Sequence, residues 1–221
     1  MDVKSRISAL LRNSLFVRWI CLFRPHRFVI QFYFSSFFKS LGILPENSVL
    51  NVVNGYGKNL KMALRIGDKL NPQETYYWLG FCELDIQRLF AKIIRRGFIV
   101  YDIGGYIGFY SLLAGHLTGP TGRVYVFEPF PRNIERIKLH ISLNGMQDRV
   151  FCIPKAVADK AGKALYRDLG RDDYVYFVDA ESYEDNHLTK ADTIETISLD
   201  EFVFREGHLA PNLIKIDVEG G

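Results

Sequence analysis

Phe98-Ile99-Val100-Tyr101-Asp102-Ile103-Gly104-Gly105-Tyr106-Ile107-Gly108 is the stretch on which the fold turns. An apolar run ends in an acid and passes into a glycine-rich turn, the pattern of a buried strand feeding a helix across a ligand-binding turn. Asp102 gives the pattern its particular meaning. An aspartate at a strand's carboxyl end puts negative charge where a ligand would sit.

Toward the carboxyl terminus, Ile107 to Leu117 reads as a helix, Arg123 to Glu128 as a second strand, and Pro131 to Leu143 as a second helix with Ile134, Ile137 and Ile141 inward. Pro131 suits a first helical position and Asn144-Gly145 a helix end. Val150 to Ile153 supplies a third strand. The β-α-β-α-β order implies right-handed crossovers and a parallel sheet whose ligands sit outside the strands' carboxyl ends. From Lys155 to Thr193 the pattern weakens, with short strands at Ala164 to Tyr166 and Tyr174 to Val178 among charged loops. Ile194 to Leu199, a short helix from Asp200 to Arg205, and the strand Leu213-Ile214-Lys215-Ile216-Asp217-Val218 restore it.

Toward the amino terminus, a helix starts at Glu83 and Asp85, carries Ile86, Leu89, Phe90, Ile93 and Ile94 on one face, and stops at Gly97. Tyr76, Tyr77, Trp78 and Phe81 form an aromatic cluster, read first as core. Val49 to Val53 and Leu60 to Ile66 form a hairpin about Asn54-Gly55-Tyr56-Gly57. Before them, Met1 to Ser40 carries seven basic residues against Asp2, a charge of +6 within a chain whose total is +3. Arg18 and Lys39 interrupt its apolar runs, which are too short for the ~20 residues that a bilayer requires. Residues 1–44 are expected to be amphipathic helices, either a peripheral contact with an anionic membrane surface or a helical cap. The 48% apolar content supports a genuine core. Cys21, Cys82 and Cys152 are widely spaced and suggest neither a disulfide framework nor a zinc site, which fits a reducing, cytoplasmic setting.

Two carboxylates narrow the ligand. A nicotinamide site needs G-x-G-x-x-G, whereas Gly104, Gly105 and Gly108 do not meet that spacing. Asp102 would repel a pyrophosphate by about 1 to 4 kcal/mol per charge pair at ~4 Å, and would attract the ammonium of an amino acid. Glu128 ends the second strand about twenty residues on, where an acid accepts hydrogen bonds from ribose hydroxyls. A cationic amino-acid end plus a ribose, without phosphates, describes S-adenosylmethionine.

Asp102-Ile-Gly-Gly-Tyr-Ile-Gly-Phe-Tyr-Ser, Val126-Phe127-Glu128-Pro129, Asn144-Gly145, Ala156-Val157-Ala158-Asp159 with Gly162, Ile197-Ser198-Leu199-Asp200 and Ile214-Lys215-Ile216-Asp217-Val218-Glu219-Gly220 together resemble the FkbM-type methyltransferases. The resemblance runs from about Tyr76 to Gly221. It implies an α/β, Rossmann-like class I methyltransferase sheet, acting on a hydroxyl of a sugar, polyketide or related small-molecule or glycan acceptor, with no nucleic-acid partner. Gly105 and Tyr106 stand where the family more often has Ala-Asn. The family also continues beyond the Gly220-Gly221 end, so the sheet is expected to be incomplete, with Leu213 to Val218 as an apolar edge. The expected organisation is a helical extension (1–46), a hairpin and helix (47–97) and a truncated methyltransferase domain (98–221).

Asp102 is expected to meet the methionine end of S-adenosylmethionine, Gly104, Gly105 and Gly108 to allow close backbone approach, and Glu128 to hold the ribose. Asn144, Lys155 and Ala156 are placed near adenine by topology and resemblance. Asp217 and Glu219 are the candidate catalytic residues, orienting an acceptor hydroxyl or taking its proton; the alternative is that they pair with Lys215 or cap a following helix, and no metal site is assigned. His116, His140, His187 and His208 are read as surface or helix residues. The competing function is an inactive cofactor-binding or interaction module that docks on a membrane or an acidic partner.

Overall fold

The computed structural model describes residues 48–65, 73–168, 175–178 and 192–218. The chain divides into two compact units, Met1–Ile93 and Ile94–Gly221.

In the first unit, β1 (Ser48–Asn51) and β2 (Lys61–Leu64) pair antiparallel with Ser48 opposite Leu64. The predicted hairpin is present, with a longer connection than a tight turn. Helix α1 (Gln73–Leu79) carries the aromatic cluster, and Tyr77 and Trp78 are buried as core. The Glu74 carboxylate is buried too, and is satisfied there because the Arg65 guanidinium and backbone N–H both donate to it. Helix α2 (Leu84–Ile93) differs from its sequence pattern: Gln87 and Phe90 are the buried residues, while Ile86, Leu89 and Ile93 are more than a third exposed. The Gln87 amide explains the rotation. It donates to the Cys82 carbonyl at 2.5 Å and accepts from the Tyr56 N–H at 3.0 Å, so a polar side chain takes the inward position by closing the loop's own backbone hydrogen bonds.

The second unit is built on a parallel sheet ordered β10-β3-β4-β5. Its strands are β3 (Ile99–Ile103), β4 (Arg123–Phe127), β5 (Val150–Ile153) and β10 (Leu213–Ile216). Val100, Tyr101, Val124 and Val126 are all but inaccessible, as continuous apolar runs in a sheet covered on both faces should be. Helices α3 (Phe109–Thr118) and α4 (Pro131–Leu143) form the crossovers, with Pro131 in the first turn of α4 and Ile134, Ile137 and Ile141 buried. Tyr101, Tyr125, Phe127 and Phe202 pack edge to face or tilted on one side of the sheet, with ring centroids 5.0 to 5.6 Å apart. Phe202 comes from a π-helical turn (Glu201–Arg205), where a short helix was predicted.

A second sheet, ordered β6-β9-β7-β8, is formed by β6 (Ala156–Val157), β7 (Gly162–Asp168), β8 (Val175–Val178) and β9 (Asp192–Ile197). Strand β10 is at one edge of the four parallel strands, with Ile214, Ile216 and Val218 exposed. Its register against β3 matters most for the site: Lys215 lies opposite Asp102, and Ile216 opposite Ile103.

Candidate functional site

After Ile103 the backbone enters the left-handed region at Gly104 (φ 78°), returns to it at Tyr106 (φ 50°) and again at Gly108 (φ 86°), which caps α3. The turn is tied to the end of β4. Gly104 and Gly105 N–H both donate to the Phe127 carbonyl, at 3.0 and 3.2 Å, and Tyr106 N–H donates to Glu128 Oε2 at 2.8 Å. Gly108 N–H donates to the Gly105 carbonyl at 2.7 Å. Contact on both flanks demands glycine at two positions: a Cβ on Gly104 would overlap the Asp217 carbonyl oxygen, and one on Gly105 would overlap Val126 Cγ2. The amides of Gly104, Gly105, Tyr106 and Gly108 therefore all have acceptors inside the protein. A phosphate would find none of these four N–H groups free.

Glu128, just past β4, is 3% exposed. Besides Tyr106 N–H it accepts from Phe130 N–H and from Asn133 Nδ2, both at 3.2 Å on Oε1, and its own N–H holds the Ile153 carbonyl of β5. Burial pushes the Glu128 carboxyl up to about 7. The three donors counter that rise without cancelling it, and the nearby Asp102 charge adds to it. Oε2 keeps acceptor capacity for a further donor such as a ribose hydroxyl.

Asp102 is buried at the end of β3, where Ser111 Oγ in the first turn of α3 donates to its Oδ2 at 2.5 Å. Lys215 Nζ is 3.0 Å from Oδ1, within ion-pairing distance but without hydrogen-bond alignment, so Oδ1 is charge-compensated while keeping hydrogen-bond capacity. The same ammonium donates to the Gly104 carbonyl at 3.2 Å, approaches Asp217 Oδ2 at 3.5 Å and sits 5.4 Å from the Tyr110 ring centroid. Burial works to lower the Lys215 pKa, but the negative charges of Asp102 and then Asp217 outweigh it, and the net shift is upward. Lys215 thus changes the electrostatic reading of the turn. Asp102 is not a bare charge aimed at a ligand, and the bonded N–H groups of Gly104, Gly105, Tyr106 and Gly108 count against a pyrophosphate as well.

Asp102, Gly104, Gly105, Gly108, Glu128 and Asp217 therefore converge at the carboxyl ends of β3, β4 and β10. Asp217 N–H donates to the Ile103 carbonyl, and its side chain is two-thirds exposed and paired with Lys215, as the alternative reading allowed. Glu219 lies outside the described residues. Ala156 follows the end of β5 and is buried in β6. Asn144 is not brought to the site. It closes the far end of α4, with Nδ2 on the His140 carbonyl, about 20 Å of helix away from the Glu128 end.

Sequence reasoning missed three supporting residues. Ser111 falls nine positions after Asp102, one helical turn into α3, a spacing that could have marked it. Asn133 follows Glu128 by five, at the start of the predicted helix. His140, on α4 as the helix reading allowed, is fully buried, with Nδ1 2.7 Å from the Ile107 carbonyl, linking α4 to the glycine turn. Of the other histidines, His116 is exposed on α3, His208 stacks on Phe202 with 3.9 Å between centroids, and His187 lies outside the described residues. Among the described residues no group of three His, Cys, Asp or Glu side chains could hold a metal ion, and no helix is long and apolar enough to cross a membrane.

Comparison with known families matches the methyltransferase FkbM domain to residues 102–221, from Asp102 through the turn, Glu128 and Asp217. The chain belongs to the FkbM methyltransferase family. Its domain is Rossmann-like, and the cofactor of this class is S-adenosylmethionine. No curated protein matches the chain. Among solved structures, it is similar to TYW2 of P. horikoshii in complex with MeSAdo, at 18% identity and a TM-score of 0.36, over 70% of this chain and 64% of that one. A SAM-dependent O-methyltransferase from Thermotoga maritima is similar at 12% identity and a TM-score of 0.34, over 55% and 46%. For a SAM-dependent methyltransferase from Aquifex aeolicus the values are 20% and 0.28, over 31% and 35%. The FkbM chain spans less than two thirds of the length of each of these proteins.

The donor set fits the cofactor. Asp102 Oδ1 is a buried acceptor without an aligned donor, Glu128 Oε2 has acceptor capacity left, and the N–H groups of Gly104, Gly105, Tyr106 and Gly108 are already bonded within the protein.

Proposed function

We propose that this chain methylates a hydroxyl oxygen on a sugar, polyketide or related small acceptor, using S-adenosylmethionine. The observation that carries the reading is the convergence of Asp102, Glu128 and Asp217 around a turn whose amides are already bonded. When bound, S-adenosylmethionine supplies an electrophilic methyl on a sulfonium. Glu128 accepts from the ribose hydroxyls, and Asp102, held in place by Lys215 and Ser111, faces the ammonium of the methionine end. Asp217, at the exposed mouth of β10, orients the acceptor hydroxyl and receives its proton or passes it to solvent. In-line positioning supplies much of the rate in such a transfer, so Asp217 acts chiefly by placing the oxygen. Glu219, two residues on, is proposed to share that task.

The basic segment of residues 1–44 is proposed to contact an anionic membrane surface in the cytoplasm, a reading that rests on its +6 charge and aromatic content. Incubation with methyl-labelled S-adenosylmethionine and a panel of hydroxylated acceptors tests the enzymatic reading. Label appearing as an acceptor O-methyl ether, and lost with Asp217→Asn, supports it. Binding of the cofactor without transfer to any acceptor favours the interaction-module alternative.

A further inference from the structure

Lys215 has no role in the reading above beyond compensating Asp102, yet its ammonium is among the most connected groups of the site. Three acceptors from three different places surround it: Asp102 Oδ1 on β3 (3.0 Å), the Gly104 carbonyl at the start of the turn (3.2 Å) and Asp217 Oδ2 beyond β10 (3.5 Å). The ammonium donates to the Gly104 carbonyl and is paired in charge with both carboxylates, so it ties the strand end, the turn and the residue beyond β10 together. The side chain is only 13% exposed, and Tyr110 of α3 covers it. The register of β10 against β3 makes this geometry, because Lys215 is directly opposite Asp102 and in-register neighbours on parallel strands project to the same face.

We infer that Lys215 is a positioning residue that fixes Asp102 and the first glycine of the turn relative to each other, and so determines how tightly the methionine end of the cofactor is held. The inference rests on the cofactor reading above. Without the ammonium, the buried Asp102 carboxylate loses its compensating charge, and the Gly104 carbonyl loses its side-chain donor. The adenosine end, held by Glu128 on the far side of the turn, has no contact with Lys215 in this arrangement. The effect should therefore be confined to ligands that carry an amino-acid end.

Two ligands separate the ends: S-adenosylhomocysteine, which has both, and methylthioadenosine, which lacks the amino acid. Calorimetric titration of the full chain is expected to show that Lys215→Met weakens S-adenosylhomocysteine about tenfold or more, while methylthioadenosine changes by less than about twofold. Because a lone buried carboxylate can unfold the variant, the companion is Lys215→Met in an Asp102→Asn background, where both charges are gone. There the lysine substitution should cost less than about twofold for either ligand, since its action through Asp102 has been removed. Equal weakening of both ligands by Lys215→Met would mean a merely structural role and overturn the inference, as would undiminished S-adenosylhomocysteine binding by a folded Lys215→Met. Failure of the unsubstituted chain to bind either ligand would instead overturn the cofactor reading on which it rests.

Discussion

Glu128 should make the folded protein less stable as pH rises through neutrality, the opposite of the usual effect of a native carboxylate. Its folded pKa is pushed up to about 7 from an ordinary value of 4.5, chiefly by burial. Between those values the native state holds a proton that the unfolded chain releases. The stability due to that proton is fully present below pH 4.5 and is lost as pH rises through about 7. At ~1.4 kcal/mol per pKa unit the loss amounts to about 3 kcal/mol, a large part of a domain's net stability. Urea denaturation followed by far-ultraviolet circular dichroism from pH 5 to 8, on the native chain and on Glu128→Gln, isolates the effect. Gln cannot ionise, so the difference between the two stability curves should change by about 2 to 3 kcal/mol across that range, the remainder being lost only below pH 5. The absolute offset of the variant depends on how its amide meets the N–H groups of Tyr106 and Phe130, but the slope of the difference does not. Parallel curves would refute the argument, since they would mean that Glu128 titrates alike in both states.

Three further outcomes follow from the same geometry. Gly105→Ala should destabilise the domain by about 1 to 3 kcal/mol, because the new methyl overlaps Val126 Cγ2; thermal denaturation should show recovery when Val126→Ala is added. Tyr106 holds a φ of 50°, a region that Asn tolerates better, so Tyr106→Asn should raise thermal stability by up to about 1 kcal/mol and leave the Glu128 contact in place, since that contact is made by the backbone. Asn133→Ala removes a donor that favours the ionised form of Glu128, so its carboxyl should titrate higher still, and the pH at which S-adenosylhomocysteine binding reaches full strength should move upward in titrations across pH 6 to 9.

The parallel core and its turn were legible because they depend on local signals. Val150 to Ile153 and Pro131 to Leu143 match the observed bounds, since continuous apolar runs, Pro131 and Asn144-Gly145 mark them without reference to the rest of the chain. The glycine turn and Glu128 were legible for the same reason. What escaped depends on partners distant in sequence. Lys215 meets Asp102 only through the register of β10 on β3, and nothing in the spacing of either motif encodes that register. Gln87 displaced an apolar stripe because loop carbonyls needed donors, a demand invisible to hydrophobic periodicity. Asn144 was assigned to the adenine pocket by its motif, whereas the direction of α4 takes the end of the helix away from the carboxyl edge.

The central claim is that this turn holds a phosphate-free, cationic nucleoside, with Glu128 as the ribose acceptor. Calorimetric titration of the chain and of Glu128→Gln with S-adenosylmethionine and with NAD tests it most directly. One-to-one binding of S-adenosylmethionine, weakened about tenfold or more by Glu128→Gln, with no binding of NAD, is the result the account predicts. Binding of NAD at comparable affinity, or S-adenosylmethionine binding untouched by Glu128→Gln, would contradict it.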